Sequence, residues 1–258
     1  MKWALNMLKR LKSFDVHWRY KVIKPVITIH QPEHMPWLGF FNKMLKSEIF
    51  VILDNVQFEK NNYQNRNRIL GNNGAQWLNV PTETKGHMDK TIREIKIANT
   101  TQPNWKKKYL LTLELNYCKH PFFNDIFPPI KNILEIHDEY LCDLNVSLIL
   151  YFAQLLNADC QFLYASQMNL NGKKSNLIYQ ICKQLGAGTY ISGSGGRDYM
   201  NLDVFCNDGI QVKFNDYVHP IYAQKKSFEF VPYLSVLDLL MNKGPDEAHE
   251  IILSGLPK

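Results

Sequence analysis

Apolar and polar positions along the chain alternate in blocks that predict strands and helices in turn. Val26-Ile27-Thr28-Ile29 is β-branched throughout and predicts a buried strand ending at His30. "WLGFFNKMLKS" has helical spacing over about 37–47, and "IFVILD" predicts a second buried strand ending at Asp54. "GNNGAQWLNVP" predicts a turn and a strand ending at Pro81, and "TIREIKI" alternates like an edge strand. A helix opened by a proline covers 103–117, and 128–157 is mostly helical. "QFLYAS", "TYIS" and "IQVKFNDY" predict strands. "SNLIYQICKQLG" predicts a helix closed by Gly186, and "SVLDLLMNKG" one capped by Ser235 and closed by Gly244. The order predicts an α/β fold: a three-layer, mostly parallel, Rossmann-like sheet with a helical insert near 100–160. Ligands in such sheets sit beyond the carboxyl ends of the strands, where His30, Asp54 and Ser192 fall.

Charge divides the chain in two. The net charge is +6, and residues 1–24 carry that whole excess with seven basic side chains and one acid. The remainder, 25–258, is neutral, reads as one α/β domain and does not imply a DNA-binding surface. In the basic segment Trp3, Met7, Leu11, Phe14 and Trp18 share one helical stripe. A basic amphipathic helix of this kind suits an anionic membrane surface, and equally a docking site on its own body or on a partner. Five scattered cysteines without a C-x-x-C suit a reducing compartment. With no apolar run of spanning length and no expected signal peptide, the sequence predicts a cytoplasmic protein, peripheral on the inner membrane at most.

His30-Gln31-Pro32-Glu33-His34 spells H-x-x-E-H, a zinc-peptidase signature that works only on a helix. Pro32 and Pro36 oppose helical geometry at Gln31 and Met35. We therefore expect a rigid loop here and no metal.

"IHQPEHMPWLGFFNKMLKSEIFVILDNVQFEKNNYQNRNRI" resembles the WbqC-like family of bacterial proteins, and so do "YISGSGGRDYM", "YVHPIYAQ" and "FVPYLSVLDLLMNKG". The resemblance runs from about residue 26 nearly to the end. It implies a place in O-antigen or other surface-polysaccharide pathways, and a glycine- or acyl-transferase role. The acceptor would be a nucleotide-linked or lipid-linked amino sugar. The acyl donor would sit on an acyl carrier protein, CoA or aminoacyl-tRNA, with no tightly bound cofactor. A non-catalytic membrane-associated scaffold and a nucleotidyltransferase-like enzyme are the alternatives.

Acyl transfer to an amine needs a base, oxyanion donors and a hold on the donor's phosphates. His30, His219 and Asp54 are the candidate catalytic residues, each equally readable as a structural side chain. Candidate binding residues come from the loop after the first strand (Gln31, His34) and the amide- and arginine-rich stretch (Gln57, Lys60, Asn65, Arg66). The small-residue bend adds Ser192, Gly193 and Gly195, whose N–H groups suit a nest for anions, and "YVHPIYAQ" adds Tyr222 and Gln224. These segments are expected to converge on one cavity.

Overall fold

The computed structural model of the chain describes residues 24–83, 85–225 and 229–255; the predicted basic helix lies almost wholly outside them. Five strands form one wholly parallel sheet: β1 (Val26–His30), β2 (Ile49–Ile52), β5 (Gln161–Tyr164), β6 (Thr189–Gly193) and β7 (Gln211–Asn215). Their order is β5-β2-β1-β6-β7. The chain builds outward from β1 on one side, then crosses back to the other with β6. Such a reversal is a topological switch point, where a crevice opens at the carboxyl ends.

Both faces are covered, as a parallel sheet requires. Ile27, Ile29 and Val51 point to one side, where α5 (Ser175–Gln184) and α6 (Leu202–Asn207) supply Leu177, Ile181 and Phe205. Phe50 and Ile52 point to the other, against α1 (Leu38–Leu45), α4 (Leu141–Leu155) and α7 (Val236–Ser254). Strand alternation puts Thr28 and His30 on this second side. The helical insert is α2 (Trp105–Tyr117), α3 (Phe123–Ile136) and α4, with α2 and α3 extending the same core outward. An antiparallel hairpin of β3 (Arg66–Gly71) and β4 (Gly74–Asn79) lies outside the sheet. The end of the amide- and arginine-rich stretch, from Arg66 on, is the first strand of this hairpin.

One other expectation is revised. "TIREIKI" is not an edge strand. Thr91 and Glu94 form a capping box around a 3₁₀ turn, Ile92–Glu94, with Thr91 N–H and Oγ1 donating to Glu94 Oε2 at 2.8 and 2.6 Å. Ile92 and Ile95, three apart, are both fully buried, so the turn satisfies the core better than alternation would. Helix α7 starts as expected, with Ser235 Oγ accepting from Leu237 N–H at 3.2 Å. It breaks at Gly244 (φ 76°), a left-handed conformation that favours glycine, and resumes at Pro245.

Asp238, in the first turn of α7, is fully buried. Its carboxylate accepts from Tyr117 Oη (3.0 Å), Tyr222 Oη (2.9 Å) and Gln224 Nε2 (3.2 Å). Burial still pushes its pKa upward. Removing it orphans two tyrosine hydroxyls at once. Asp238→Ala should therefore cost about 3–5 kcal/mol, against about 1 kcal/mol for Tyr222→Phe. Urea denaturation measures both, and equal losses would contradict a network centred on the carboxylate.

Candidate active site

Residues 31–36 leave β1 as a loop rather than the helix that H-x-x-E-H requires, with Met35 at φ 41°. The loop is held from three directions. Asn145 of α4 donates through Nδ2 to Pro32 O (2.8 Å) and Gln64 O (2.6 Å). Asn67 of β3 donates to Met35 O at 2.8 Å, and Val236 N–H of α7 to Pro36 O at 2.8 Å. His34 is fully buried between Asn145 Oδ1 (2.8 Å from Nδ1) and Tyr109 Oη (2.7 Å from Nε2). Because Asn145 spends its amide hydrogens on carbonyls, His34 Nδ1 donates and Nε2 accepts. Burial lowers the His34 pKa to about 4. His34 is therefore a brace within the fold, not the binding residue expected.

The brace positions a crevice. β1 stays paired with β2 through His30, but its pairing with β6 ends at Thr28–Ile191. Beyond that point β1 and β6 are no longer paired, and it is there that a switch-point crevice is expected. His30 packs edge-on against Phe40 of α1, ring centroids 4.8 Å apart, and Nδ1 donates to Gln31 O at 3.1 Å. Glu33 Oε1 lies 3.9 Å from His30 Nδ1. Lys43 of α1 is 3% exposed, and its Nζ has no hydrogen-bond partner in the protein. The ammonium lies beside Gly193, 3.8 Å from where a side chain's first carbon would stand.

Desolvation sets the charges in this cluster. It raises the Glu33 carboxyl to about 7, opposed by Lys43, and lowers the Lys43 ammonium to about 8, opposed by Glu33. Burial and the nearby Lys43 lower His30 to about 3, so it is neutral near pH 7 but a poor proton acceptor. Glu33 is better matched to that role. The side chains of His30 and Glu33 remain 23% and 17% exposed, so solvent reaches them.

Sequence reading missed Glu33 and Lys43. Glu33 enters the sequence analysis only through the H-x-x-E-H motif, and Lys43 only as part of the helix over about 37–47. Among the described residues, no group of three or more His, Cys, Asp or Glu is placed to hold a metal ion. Lys43 lies beside Gly193, Arg66 and Lys108 line one cavity, and Arg93 lines another.

The other expected residues do not share one cavity. Gln31 is near the crevice, but its Oε1 accepts from Gln64 Nε2 at 2.7 Å, tying the loop to the hairpin. Asp54 is buried and accepts from Ser166 N–H (2.9 Å) and Oγ (2.6 Å), at the edge of a groove lined by Asn55, Arg93 and Ser166. Gln57 donates to Met88 O on the surface, and Lys60 is exposed. Asn65 and Arg66 line a separate cavity between the hairpin and α2. His219 is packed among aromatic rings, stacked on Trp37 (6.5 Å) and Tyr222 (6.3 Å), and burial lowers its pKa. Tyr222 and Gln224 are buried in the Asp238 network and cannot meet a substrate there. Ser192 is buried, with Oγ donating to Gly193 O at 3.0 Å. No positive φ occurs in 192–197, so this bend, a 3₁₀ turn over Ser194–Asp198, is not the expected nest; Gly195 is exposed. Of the expected residues, His30 and Gly193 do meet, around Lys43.

Fold and site together define a Rossmann-like α/β protein with His30, Glu33 and Lys43 gathered at its switch point. The chain belongs to the WbqC-like protein family, whose sequence model matches residues 31–250. It is similar to an uncharacterized protein of Mycobacterium tuberculosis, with 33% identity over 229 residues, covering 85% of this chain and 94% of that relative. Among the described residues, no helix is long and apolar enough to cross a membrane.

The brace has a pH signature. Between about pH 6.5 and 4 the unfolded chain binds a proton on His34 that the folded chain does not, so the stability His34 provides falls as pH falls. His34→Gln should cost about 2–4 kcal/mol at pH 7.5. That cost should shrink by about 1.4 kcal/mol per pH unit on acidification through the window. Denaturant titrations of both proteins at pH 7.5 and 5 check this; a pH-independent difference would rule the brace out as the cause.

Proposed function

We propose that the chain is a transferase that moves an acyl or aminoacyl group onto the amine of a sugar in surface-polysaccharide assembly. Membership of the WbqC-like family supports the pathway only through the place in surface-polysaccharide assembly that the resemblance implies. The observation that carries the chemistry is the Glu33–Lys43–His30 cluster beside Gly193.

The residues divide the work. Glu33, near 7, takes the proton that the attacking ammonium must lose. Lys43, mostly protonated at pH 7 and without a protein partner, stabilises the oxyanion that forms as the C–N bond is made. His30, held neutral with Nδ1 on Gln31 O, leaves Nε2 to accept a hydrogen bond from the acceptor amine. As the tetrahedral intermediate collapses, the nitrogen's second proton passes to the departing sulfur or oxygen, so the donor leaves as a free thiol or hydroxyl, and Glu33 returns its proton to solvent.

Purified full-length chain, nucleotide-linked amino sugars and glycyl or short acyl donors on CoA, carrier protein or tRNA, followed by product mass, test this reading. Glu33→Gln should lower kcat about 10²–10⁴-fold. The kcat/KM profile should rise as Glu33 ionises near 7 and fall as Lys43 loses its proton near 8. No product from any donor, or an undiminished rate in Glu33→Gln, would refute it.

A further inference from the structure

The cavity between the β3–β4 hairpin and the start of α2 is separate from the crevice and has its own chemistry. It measures about 600 Å³, ample for a monosaccharide or disaccharide. Arg66 and Lys108 supply two positive charges, and none of its described lining residues is an acid. Arg66 lies over Trp77, its guanidinium carbon 4.3 Å from the ring centroid. One amino group donates to Asn61 O, while the buried Nε has no protein partner. Asn65 Nδ2 donates to Val80 O at 3.0 Å, but its buried Oδ1 is likewise unpartnered. Asn79, Gln102 and Asn104 add further carboxamides, and Trp77 is 44% exposed.

The end of α2 that borders the cavity adds positive potential. Its first turn carries Lys106, Lys107 and Lys108 and no acid, the reverse of what a helix N-terminus prefers. Lys106 is partly offset by Asp138 at 3.9 Å. An anion in the cavity would relieve the remainder.

We propose that this cavity is a binding site for an anionic saccharide, a sugar bearing a carboxylate or a phosphate. Each carboxamide both donates and accepts, as vicinal hydroxyls do, so a ring of them suits a polyol better than a bare ion. Trp77, with Arg66 over its ring and Tyr63 beside it at 6.0 Å, keeps 44% of its surface exposed as apolar area for the C–H side of a sugar ring. Arg66 and Lys108 supply the charge complement for the acid group. The assignment does not depend on the transferase reading, because no residue of the crevice lines the cavity.

Isothermal titration calorimetry on the full chain tests it with four probes: N-acetylglucosamine 1-phosphate, trigalacturonate, neutral N-acetylglucosamine and inorganic phosphate. At least one acidic sugar should bind tenfold or more tighter than both the neutral sugar and inorganic phosphate, and its affinity should fall with added salt. The phosphate and uronate arms show which acid group is preferred. Trp77→Ala and Lys108→Gln, both at exposed positions, should each weaken binding at least fivefold with an unchanged melting temperature, while Glu33→Gln should leave it intact. The proposal is overturned by no heat with any probe, by acidic sugars binding no better than neutral sugar or phosphate, or by affinity unchanged in both cavity variants. Loss of binding in Glu33→Gln would move the probe to the crevice and overturn it too.

Discussion

The buried carboxamide of Asn145, with the His34 imidazole it orients, is the constraint on which the site depends. A loop leaving a buried strand must find partners for carbonyls that neither helix nor sheet will satisfy. Asn145 takes Pro32 O and Gln64 O, Asn67 takes Met35 O, and the first amide of α7 takes Pro36 O. Each partner lies on a different element, so the loop cannot shift without breaking bonds to α4, β3 and α7 together. Its two prolines restrict the backbone further. The result is a rigid turn that presents His30 and Glu33 side by side at the mouth of the switch-point crevice.

That rigidity makes the electrostatics of the crevice possible. A buried ammonium without a hydrogen-bond partner is costly, and a flexible surround would let Lys43 swing out to water. Here α1 fixes its backbone, and Gly193 leaves room for its head. Glu33 and Lys43 relieve each other only partly, since no direct ion pair within 4 Å joins them, so the carboxyl stays raised to about 7 and the ammonium lowered to about 8. Strain and unsatisfied charge of this kind persist where the surrounding structure over-determines them.

What the sequence reveals follows from the range of the interactions involved. β-Branched runs, the helical period of 175–184 and the cap at Ser235 are local, and they place β1, β2, α5 and the start of α7 correctly. The parallel sheet follows from the alternation of these elements. Arg66–Gly71 is less legible, because an amide-rich strand on a half-exposed hairpin lacks the apolar signature of a buried one. The roles within the site are less legible still. His34 meets its partner across 111 residues, and Asp238 meets Tyr117 across 121. Nothing in the local spacing of "IHQPEH" or "YVHPIYAQ" shows that His34, Tyr222 and Gln224 point inward. The position of Lys43 in an amphipathic helix gives no hint that its charge ends beneath a strand terminus.

The glycine-containing bend shows why residue type alone misleads here. A run such as "SGSGGR" suggests backbone amides bared for an anion, yet its glycines serve different ends. Gly196 is small because Ser192 Oγ occupies the space beside it, where any first side-chain carbon would lie 2.2 Å away. It lets a tight turn close over the end of β6, a packing requirement. Arg197, which could have drawn an anion, is committed to both oxygens of Asp216 at 2.6 and 2.7 Å and stacks on Phe214. Only Gly193 faces the crevice, and the cation beside it comes from α1. Positive charge therefore enters the site from the helix after β1, and the bend acts by being small.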